Sequence, residues 1–472
     1  MKTIYIYFSL LLFSTFVVQA QNNSSKLSNS VSSTIETLAK AFLTQTKTAG
    51  LSIAISKDGS VIYSNGFGYA NIEENIKMEP NIQMRTASVA KVITATALGR
   101  LASEGKLDFD APIKTYIPYI KEPYANLTTR QLAGHTSGLE HRPKGNRYKK
   151  KQYTSIRETV ELMKAPLLFQ PDTDYKYSTH AYNLLAAVIE GASEKSYLEY
   201  MQKYILDPLK MANTKAENIN MLSKKDAQLY YVKKNQLRKE KITNGSYKIP
   251  GASFRSTPTD LVKMINAYTG DFISEAVVAE MFKSHQLMNG KKTNVGIAWR
   301  SSIDAFGNKV IEHAGNWLGA RTVIAYFPKE NLSIALMVNT SCQVLIEETA
   351  HILAQVIRNN DKEKTSPIDL KNQKIELIFN SNEGTREFKG TFSFSQARGI
   401  LKTTSKHFLK ANPIFYLGSN NDYTLATSYG LLYLNLSDNN TIKGEIYTYF
   451  NRQSINPKQE KPLASFKSLR KD

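Results

Sequence analysis

The order of the predicted elements constrains the fold more than any other feature of this 472-residue chain. Residues 33–46 space their apolar side chains as an amphipathic helix does, and strand-like runs at 50–55 and 60–64 follow, joined by the turn Lys57-Asp58-Gly59. Further strand-like runs and a closing helix come much later, at 293–300, 310–314, 321–327, 332–339 and 345–357. Both sets of elements can close one antiparallel sheet, so the sequence predicts an α+β fold.

The stretch between these two sets of elements is mainly helical in pattern. Residues 105–290 therefore predict a helical subdomain inserted beside the sheet. One helix start is clear, because Thr257 can cap a helix with Pro258 in its first turn and Asp260 reaching back to the cap. We expect the functional site to lie between the sheet and this subdomain.

Ser88 and Lys91 lie three residues apart in a run with helical character. On a helix such side chains share one face, so the amine would lie beside the hydroxyl. A serine hydroxyl needs a neighbouring base, and a lysine can be that base only if burial or nearby cations lower its pKa. The pair alone is weak evidence, because an amphipathic helix with a solvated lysine has the same spacing.

Two further motifs strengthen this interpretation. Tyr177-Ser178-Thr179 precedes a helical pattern, and His313-Ala314-Gly315 lies between two strand-like runs. Together with Ser88-Val89-Ala90-Lys91, these motifs resemble those of the serine β-lactamase and penicillin-binding-protein superfamily, most closely its class C β-lactamase-related branch. Other landmarks of that branch are matched at 105–112, 132–139, 254–261 and 296–299. The resemblance covers residues 35–358 and implies a β-lactamase/transpeptidase-like fold.

The resemblance also implies roles in catalysis. Ser88 would be the nucleophile that becomes acylated, Lys91 its hydrogen-bonded neighbour, and Tyr177 a second proton-transfer group. A phenol has a pKa of about 10, so Tyr177 could act as a base only if nearby cations, here Lys91 and His313, favoured the phenolate. The sequence leaves open which of Lys91 and Tyr177 takes the first proton.

Substrate binding is assigned by the same resemblance. The backbone N–H groups of Ser88 and Asn316 would bind the oxyanion, and Gly315 would let the substrate approach the strand edge closely. His313 takes the place of the family's strand cation and would hold a substrate carboxylate less firmly than a lysine does. His135 is expected to be structural. The sequence contains no metal-ligand cluster, and we expect neither a metal nor another cofactor.

Thr179 departs from the family pattern, which usually has asparagine at this position, although certain members also carry Tyr-Ser-Thr. The change removes a carboxamide that would bind the substrate's acyl amide. We therefore expect a serine hydrolase that forms an acyl-enzyme on peptide, amide or ester bonds, with cell-wall D-amino-acid peptides as natural candidates. The alternatives are a β-lactam-hydrolysing enzyme and a catalytically weak binding protein on the same fold.

The N-terminus predicts export. Residues 1–20 combine a positive start, an apolar run and the small-residue end Val18-Gln19-Ala20, so we expect a cleaved signal peptide with Gln21 as the first mature residue. An uncleaved anchor is the alternative, whereas a lipoprotein would need a cysteine just after the run. Cys342 is the only cysteine and cannot form an intrachain disulfide. A secreted or periplasmic location follows from this interpretation.

The formal net charge of +20 raises the question of nucleic-acid binding. The basic residues fall in loop-like stretches, 142–151 and 233–241, rather than in a nucleic-acid-binding motif. We therefore expect a small-molecule or peptide substrate and no nucleic-acid partner, with peripheral contact to acidic envelope components as an option. The oligomeric state is left open.

Changes in composition divide the chain. The hydrolase domain would span residues 21–360, and a charged linker would follow at 361–373. Short alternating runs separated by Asn, Asp and Gly turns predict an all-β module at 374–455, and residues 456–472 are expected to be a disordered tail.

Overall fold

The computed structural model describes residues 27–358, apart from 146–148, 235, 305–306 and 343–345, together with the backbone of strands beyond residue 372. The predicted signal segment, residues 1–20, lies outside the described residues. The helices are α1 (Asn29–Thr46), α2 (Ala90–Ser103), α3 (Thr129–Ala133), α4 (Ile156–Val160), α5 (Ala181–Ser193), α6 (Tyr197–Tyr200), α7 (Ile249–Ala252), α8 (Pro258–Met264), α9 (Asn266–Thr269), α10 (Glu275–Phe282) and α11 (Ile346–Arg358).

The strands that precede α11 belong to three sheets. They are β1 (Gly50–Lys57), β2 (Ser60–Asn71), β3 (Ile76–Lys77), β4 (Met84–Arg85), β5 (Lys215–Ala216), β6 (Tyr230–Lys233), β7 (Gln236–Lys239), β8 (Phe254–Ser256), β9 (Arg300–Ile303), β10 (Lys309–Trp317), β11 (Ala320–Phe327), β12 (Leu332–Val338) and β13 (Thr340–Ser341). The largest sheet has seven strands in the order β3-β2-β1-β12-β11-β10-β9.

Both ends of the hydrolase region contribute to this largest sheet, as the sequence predicts. β1 and β2 form a hairpin whose turn residues Asp58 and Gly59 have φ angles of 51° and 77°, a conformation that glycine and aspartate tolerate well. β1 also pairs antiparallel with β12, with Leu51 opposite Val338. The strand pairing confirms the α+β interpretation.

The sheet is covered on both faces. Leu51, Ile53 and Ile55 of β1 pack in one core with α1 and α11, whereas Ala54 belongs to the core that contains α2 and α5. Alternate residues of a strand point to opposite faces, so the period-2 pattern of β1 serves two cores at once. Each fully buried leucine or isoleucine stabilises the fold by about 1.5–3 kcal/mol.

One predicted strand is wrong. Residues 293–299 do not form a strand, and β9 begins only at Arg300. Ile297 donates its backbone N–H to Met281, and Ala298 has a φ angle of 69°, which breaks an extended conformation. Trp299 is buried among aromatic rings of the helical subdomain, so the segment follows that surface rather than the sheet.

The predicted start of α8 at Thr257 and Pro258 is confirmed, but the predicted return contact of Asp260 is wrong. Thr257 accepts a hydrogen bond from the backbone N–H of Asp260 over 3.2 Å, and Pro258 occupies the first turn. The Asp260 carboxylate does not reach back to the cap. It accepts a hydrogen bond from the backbone N–H of Asn213 over 2.7 Å, because α8 packs against that loop.

Beyond α11 the described backbone forms eight strands of a closed antiparallel sheet, in which the first and last strands pair. They are β14 (Gln373–Ser381), β15 (Gly384–Ser395), β16 (Arg398–Thr403), β17 (Asn412–Tyr416), β18 (Asp422–Ala426), β19 (Gly430–Leu436), β20 (Ile442–Thr448) and β21 (Ala464–Ser468). Within the predicted disordered tail, residues 456–472, Ala464–Ser468 forms a strand that pairs with β20, and the other residues of that tail lie outside the described residues. The linker predicted at 361–373 lies outside the described residues except for Gln373, and the domain boundaries stay a prediction.

None of the helices in the described part of the chain combines the length and the apolar character needed to cross a membrane.

Candidate active site

Ser88 lies in a tight turn that leads into α2. The turn, Ala87–Val89, is a single 3-10 turn, so the serine precedes the helix rather than standing on it. Ala87 has a φ angle of 45°, which is unusual for a residue with a side chain and indicates local strain before the nucleophile. The backbone N–H of Thr86 donates to the carbonyl of Phe254 over 2.9 Å, which fixes the turn against β8.

Lys91 is fully buried and faces the serine. Its Nζ atom lies 3.4 Å from Ser88 Oγ, 3.3 Å from Thr179 Oγ1 and 2.7 Å from the backbone carbonyl oxygen of Gly251. Burial, and then the positive charge of Arg300, lowers the pKa of Lys91 well below its usual value. The amine can therefore be neutral at neutral pH and hold a lone pair for the hydroxyl proton.

Tyr177 lies on the other side of the nucleophile. Its hydroxyl shares a hydrogen bond with Ser88, and its ring centroid lies 4.8 Å from Lys91 Nζ. The ring packs against His135 at a centroid distance of 4.4 Å and against His141 at 5.6 Å. The structure thus brings the three predicted catalytic side chains together around one hydroxyl.

Burial, rather than the nearby cations, decides the charge state of Tyr177. Burial raises the pKa of Tyr177 above its usual value, and the hydrogen bond from Ser88 and the charge of Arg300 oppose this effect without reversing it. Tyr177 is therefore a protonated phenol at neutral pH. Of the two candidates that the sequence leaves open, Lys91 fits the first base and Tyr177 fits a proton donor.

His135 supports the tyrosine, as expected of a structural residue. It is buried, and its Nδ1 atom accepts a hydrogen bond from the backbone N–H of Ser178 over 3.3 Å. That contact fixes both the tautomer of His135 and the segment that carries Tyr177. The loop that contains His135 therefore positions the Tyr177 side chain.

Thr179 faces the lysine. Its hydroxyl accepts the hydrogen bond from Lys91, and its own backbone N–H donates to the carbonyl of His141 over 3.2 Å. A threonine at this position keeps one polar atom next to the amine but offers a shorter side chain than asparagine. Its predicted place beside the catalytic groups is thus observed.

The strand β10 forms the opposite wall of the cleft. Residues 309–312 pair with β9, whereas 313–317 pair only with β11 within the described part of the chain. Their other edge faces the turn of Ser88, since a Cβ atom on Gly315 would lie 2.9 Å from Ser88 N. Asn316 follows directly and is exposed, and the oxyanion role of its backbone N–H stays a prediction.

Position 315 requires a glycine because of contacts within the protein, in addition to the expected close approach of a substrate. A Cβ atom there would lie 2.4 Å from the carbonyl oxygen of Thr86 and 3.0 Å from Ala87 Cβ. The side chain would therefore collide with the nucleophile turn of the protein itself, and not only with a substrate. Gly315 allows the turn and the strand to touch.

Gly315→Ala is expected to displace this turn. We expect labelling of Ser88 by a fluorophosphonate to slow about 100-fold, because a shift of roughly 1 Å in a reacting atom has that effect. Stopped-flow or gel-based labelling measures the rate. Gly270→Ala is the matched control, since the new Cβ would meet its nearest neighbour, Asn266 O, at an ordinary 3.4 Å. Labelling of Gly315→Ala at the wild-type rate would contradict the contact.

His313 does not supply a positive charge at this strand. It is buried, its Nδ1 atom lies 2.9 Å from the carbonyl oxygen of Ala314, and burial lowers its pKa well below the usual value. The imidazole is thus neutral, with Nδ1–H donating to the backbone. It cannot attract a substrate carboxylate as the family's strand cation would.

Two groups at the site have no motif in the sequence. Arg300 begins β9, and its charge acts on Lys91, Tyr177 and His313. Gly251 contributes only its carbonyl oxygen, which binds the Lys91 amine. The Trp299 landmark next to Arg300 was the one signal that could have drawn attention to it.

Within the residues that the structure describes, no group of three or more His, Cys, Asp or Glu side chains is arranged to hold a metal ion.

Comparison with known proteins identifies the family of this chain. A family model described as Beta-lactamase matches residues 35–355. The chain belongs to the β-lactamase family. This membership confirms the predicted family and places the chain among serine hydrolases.

A human relative within the β-lactamase family is Serine beta-lactamase-like protein LACTB, mitochondrial. It is 29% identical over 288 residues, which make up 46% of this chain and 53% of that protein. The chain thus spans about half the length of these curated relatives.

Solved structures share the β-lactamase fold. The β-lactamase/D-alanine carboxypeptidase from Pseudomonas syringae matches with a TM-score of 0.59 and 18% identity, over 71% of this chain and 100% of the other. The D-amino acid amidase from Ochrobactrum anthropi SV3, complexed with D-phenylalanine, matches with a TM-score of 0.59 and 19% identity, over 70% of this chain and 98% of the other. At this level of identity the likeness confirms the fold.

Proposed function

We propose that this chain is a secreted serine hydrolase that cleaves peptide, amide or ester bonds through an acyl-enzyme on Ser88. One observation carries the proposal: a buried amine, Lys91 Nζ, lies 3.4 Å from a hydroxyl that is also hydrogen-bonded to Tyr177. An amine with a lowered pKa and a protonated phenol around one hydroxyl form a base and an acid for acyl transfer.

The steps follow from these protonation states. Lys91 takes the proton of Ser88 Oγ as the oxygen attacks the substrate carbonyl, and the backbone N–H groups of Ser88 and Asn316 stabilise the oxyanion. Tyr177 protonates the leaving nitrogen or oxygen as its bond to the carbonyl carbon breaks. A water molecule then attacks the ester on Ser88 and gives a proton to the Tyr177 phenolate, while protonated Lys91 returns its proton to Ser88 Oγ as the acid leaves.

D-amino-acid peptides and amides are the preferred substrate class of this proposal. Two solved proteins of the same fold are named as a D-alanine carboxypeptidase and a D-amino acid amidase. Thr179 and the neutral His313 weigh against efficient β-lactam hydrolysis, because neither offers the amide or the cation that would hold such a ligand. Cell-wall peptides fit this class in the periplasm, the location that the segment 1–20 predicts.

The proposal is tested on the purified mature chain with a fluorophosphonate probe and a substrate panel. We expect Ser88 to be labelled, Ser88→Ala to lose all labelling, and D-amino-acid amides or short esters to be hydrolysed faster than a chromogenic cephalosporin. Mass spectrometry of the labelled peptide identifies the site.

Other outcomes would change the proposal in different ways. Faster turnover of the cephalosporin would favour the β-lactamase alternative. A chain that is folded by circular dichroism yet resists the probe would favour the binding-protein alternative. The second result would remove the hydrolase function.

A further inference from the structure

The end of β10 beyond Gly315 carries a tryptophan that contacts two cations. Lys248 Nζ lies 3.5 Å from the centroid of the Trp317 ring, and Arg85 Cζ lies 3.9 Å from it. Arg85 has an acidic partner, since its Nη2 atom lies 2.8 Å from a carboxylate oxygen of Glu217. In the described part of the chain no carboxylate lies within ion-pair distance of Lys248.

The position of Lys248 relates it to the catalytic groups. It directly precedes α7, whose Gly251 carbonyl binds the Lys91 amine. A Cβ atom on Gly251 would lie 2.8 Å from Thr179 Cγ2, so α7 packs on the side of the cleft that Thr179 occupies. By the family resemblance Thr179 faces the acyl amide of the substrate, so Lys248 lies at the acyl end.

The surroundings of the Lys248 amine are unfavourable for an unpaired charge. Burial first, and then the neighbouring basic groups Lys91 and Arg85, lower its pKa to about 6, while Glu217 acts in the opposite direction. The side chain is still partly exposed, and the Trp317 face attracts its cationic form. The free amine is therefore largely neutral at neutral pH, and a carboxylate that arrives with a ligand would raise its pKa and bind the cation that forms.

At the opposite end of the cleft, the side chain that the resemblance assigns to carboxylate binding carries no charge. His313 lies on the other side of Gly315 along β10, is neutral, and uses its Nδ1–H on a backbone carbonyl. Lys248, at the Trp317 end, is therefore the candidate that we consider for recognition of a negative charge. This arrangement is the reverse of the one that the sequence suggests, in which His313 binds the substrate carboxylate.

We infer that Lys248, stacked on Trp317, binds a carboxylate in the acyl portion of the substrate, so that the enzyme selects acyl groups that carry a negative charge. This inference rests on the proposed hydrolase function. It names Lys248 as a specificity residue and acidic N-acyl D-amino-acid derivatives as the favoured class. Lys248 takes no part in proton transfer at Ser88.

The test compares matched substrates that differ in one charge. The two substrates are N-succinyl-D-alanine p-nitroanilide and N-succinamoyl-D-alanine p-nitroanilide. They have nearly the same shape, but only the first ends in a carboxylate. Glutaryl homologues place the same terminal group one methylene further from the scissile bond. We expect wild-type kcat/KM to be at least about tenfold higher for the charged member, as for a charge-assisted hydrogen bond. Lys248→Met should abolish the preference, mainly through KM.

Controls separate this inference from the proposed function. Lys57→Met removes one exposed positive charge far along the hairpin and should keep the preference. Lys248→Met should still label with the fluorophosphonate, which shows a folded chain with a reactive Ser88, and Lys248→Gln serves if the methionine variant does not fold. N-Succinyl-D-alanine and N-succinamoyl-D-alanine, which lack the scissile bond, are also tested as competitors of fluorophosphonate labelling. Their protection of Ser88 measures binding without turnover.

The outcomes are then decisive. Loss of the charge preference in Lys248→Met, with labelling intact, supports the inference. Equal turnover of both substrates by the wild type overturns the inference. Equal protection of Ser88 by both competitors, or no protection by either, overturns it as well. In each case, labelling of Ser88 leaves the proposed hydrolase function standing. A wild-type chain that does not label at all removes the proposed function and the inference together.

Discussion

Lys91→Met is expected to slow fluorophosphonate labelling of Ser88 and substrate hydrolysis by about 1,000-fold, within the usual range for loss of a general base. The amine is the nearest proton acceptor to Ser88 Oγ, at 3.4 Å, and its pKa is lowered by burial. Methionine has a similar length and no charge, so it fits the buried site. Labelling kinetics on the folded variant measure the effect.

The pH dependence gives an independent check on Lys91. The protonated amine cannot accept the serine proton, so the labelling rate of the wild type should fall as pH drops through the lowered pKa of Lys91. This acidic limb should be missing from the residual rate of Lys91→Met. Lys106→Met, at an exposed lysine that pairs with Glu104, is the control and should keep both the rate and the limb.

A single result would reject this role. If Lys91→Met labels within about threefold of the wild type, less than the smallest usual effect of a general base, another group takes the proton. Tyr177 would then be the first candidate, because its hydroxyl also contacts Ser88.

Glu217→Ala is expected to reduce the free energy of unfolding by about 3–5 kcal/mol, the usual effect of removing one partner of a buried ion pair. Its carboxylate lies 2.8 Å from Arg85 Nη2 and 2.9 Å from Arg255 Nε, and all three side chains are fully buried. Without it, two guanidinium groups would remain in the interior with too few acceptors. Urea denaturation followed by tryptophan fluorescence measures the loss.

Removal of the Glu217 carboxylate should also disturb the active site. Arg85 ends β4, directly before the turn of Ser88, and Arg255 lies on β8, which follows the Gly251 segment. Glu217 therefore joins the two segments that position the nucleophile and the carbonyl partner of Lys91. Glu104→Ala, which removes an exposed ion pair with Arg100, should cost less than about 1 kcal/mol. A comparably small effect of Glu217→Ala would show that the buried cluster is not needed for stability.

Local features of the fold could be predicted because neighbouring residues determine them. The β1-β2 hairpin follows from a turn whose residues accept positive φ angles, and the start of α8 follows from Thr257 and Pro258. The predicted strand at 293–300 failed because burial of Trp299 in the helical subdomain outweighs the local pattern. Tertiary packing decides such segments, and a single sequence carries no record of it.

The site shows the same division. Ser88, Lys91 and Tyr177 could be predicted because their side chains form motifs. Arg300 and the Gly251 carbonyl could not, because the β9-β10 register and the packing of α7 bring them to the site. A backbone carbonyl looks the same at every position of a sequence.

The protonation states could not be predicted for a related reason. The sequence suggests that cations lower the pKa of Tyr177, yet burial raises it and also lowers the pKa of Lys91. The sequence shows which side chains can be charged, whereas their depth of burial decides which of them are charged at neutral pH. Depth is a property of the folded chain.

The pairing of β1 with β12 has a consequence for synthesis of the protein on the ribosome. The N-terminal hairpin emerges early, but the edge of β1 finds its partner only after Leu332–Val338 has been made. At ordinary rates of translation this delay lasts for tens of seconds, during which Leu51, Ile53 and Ile55 form an apolar strand with an open edge. The nascent chain must be kept from aggregating over that interval, and the catalytic cleft assembles only when the last strands arrive.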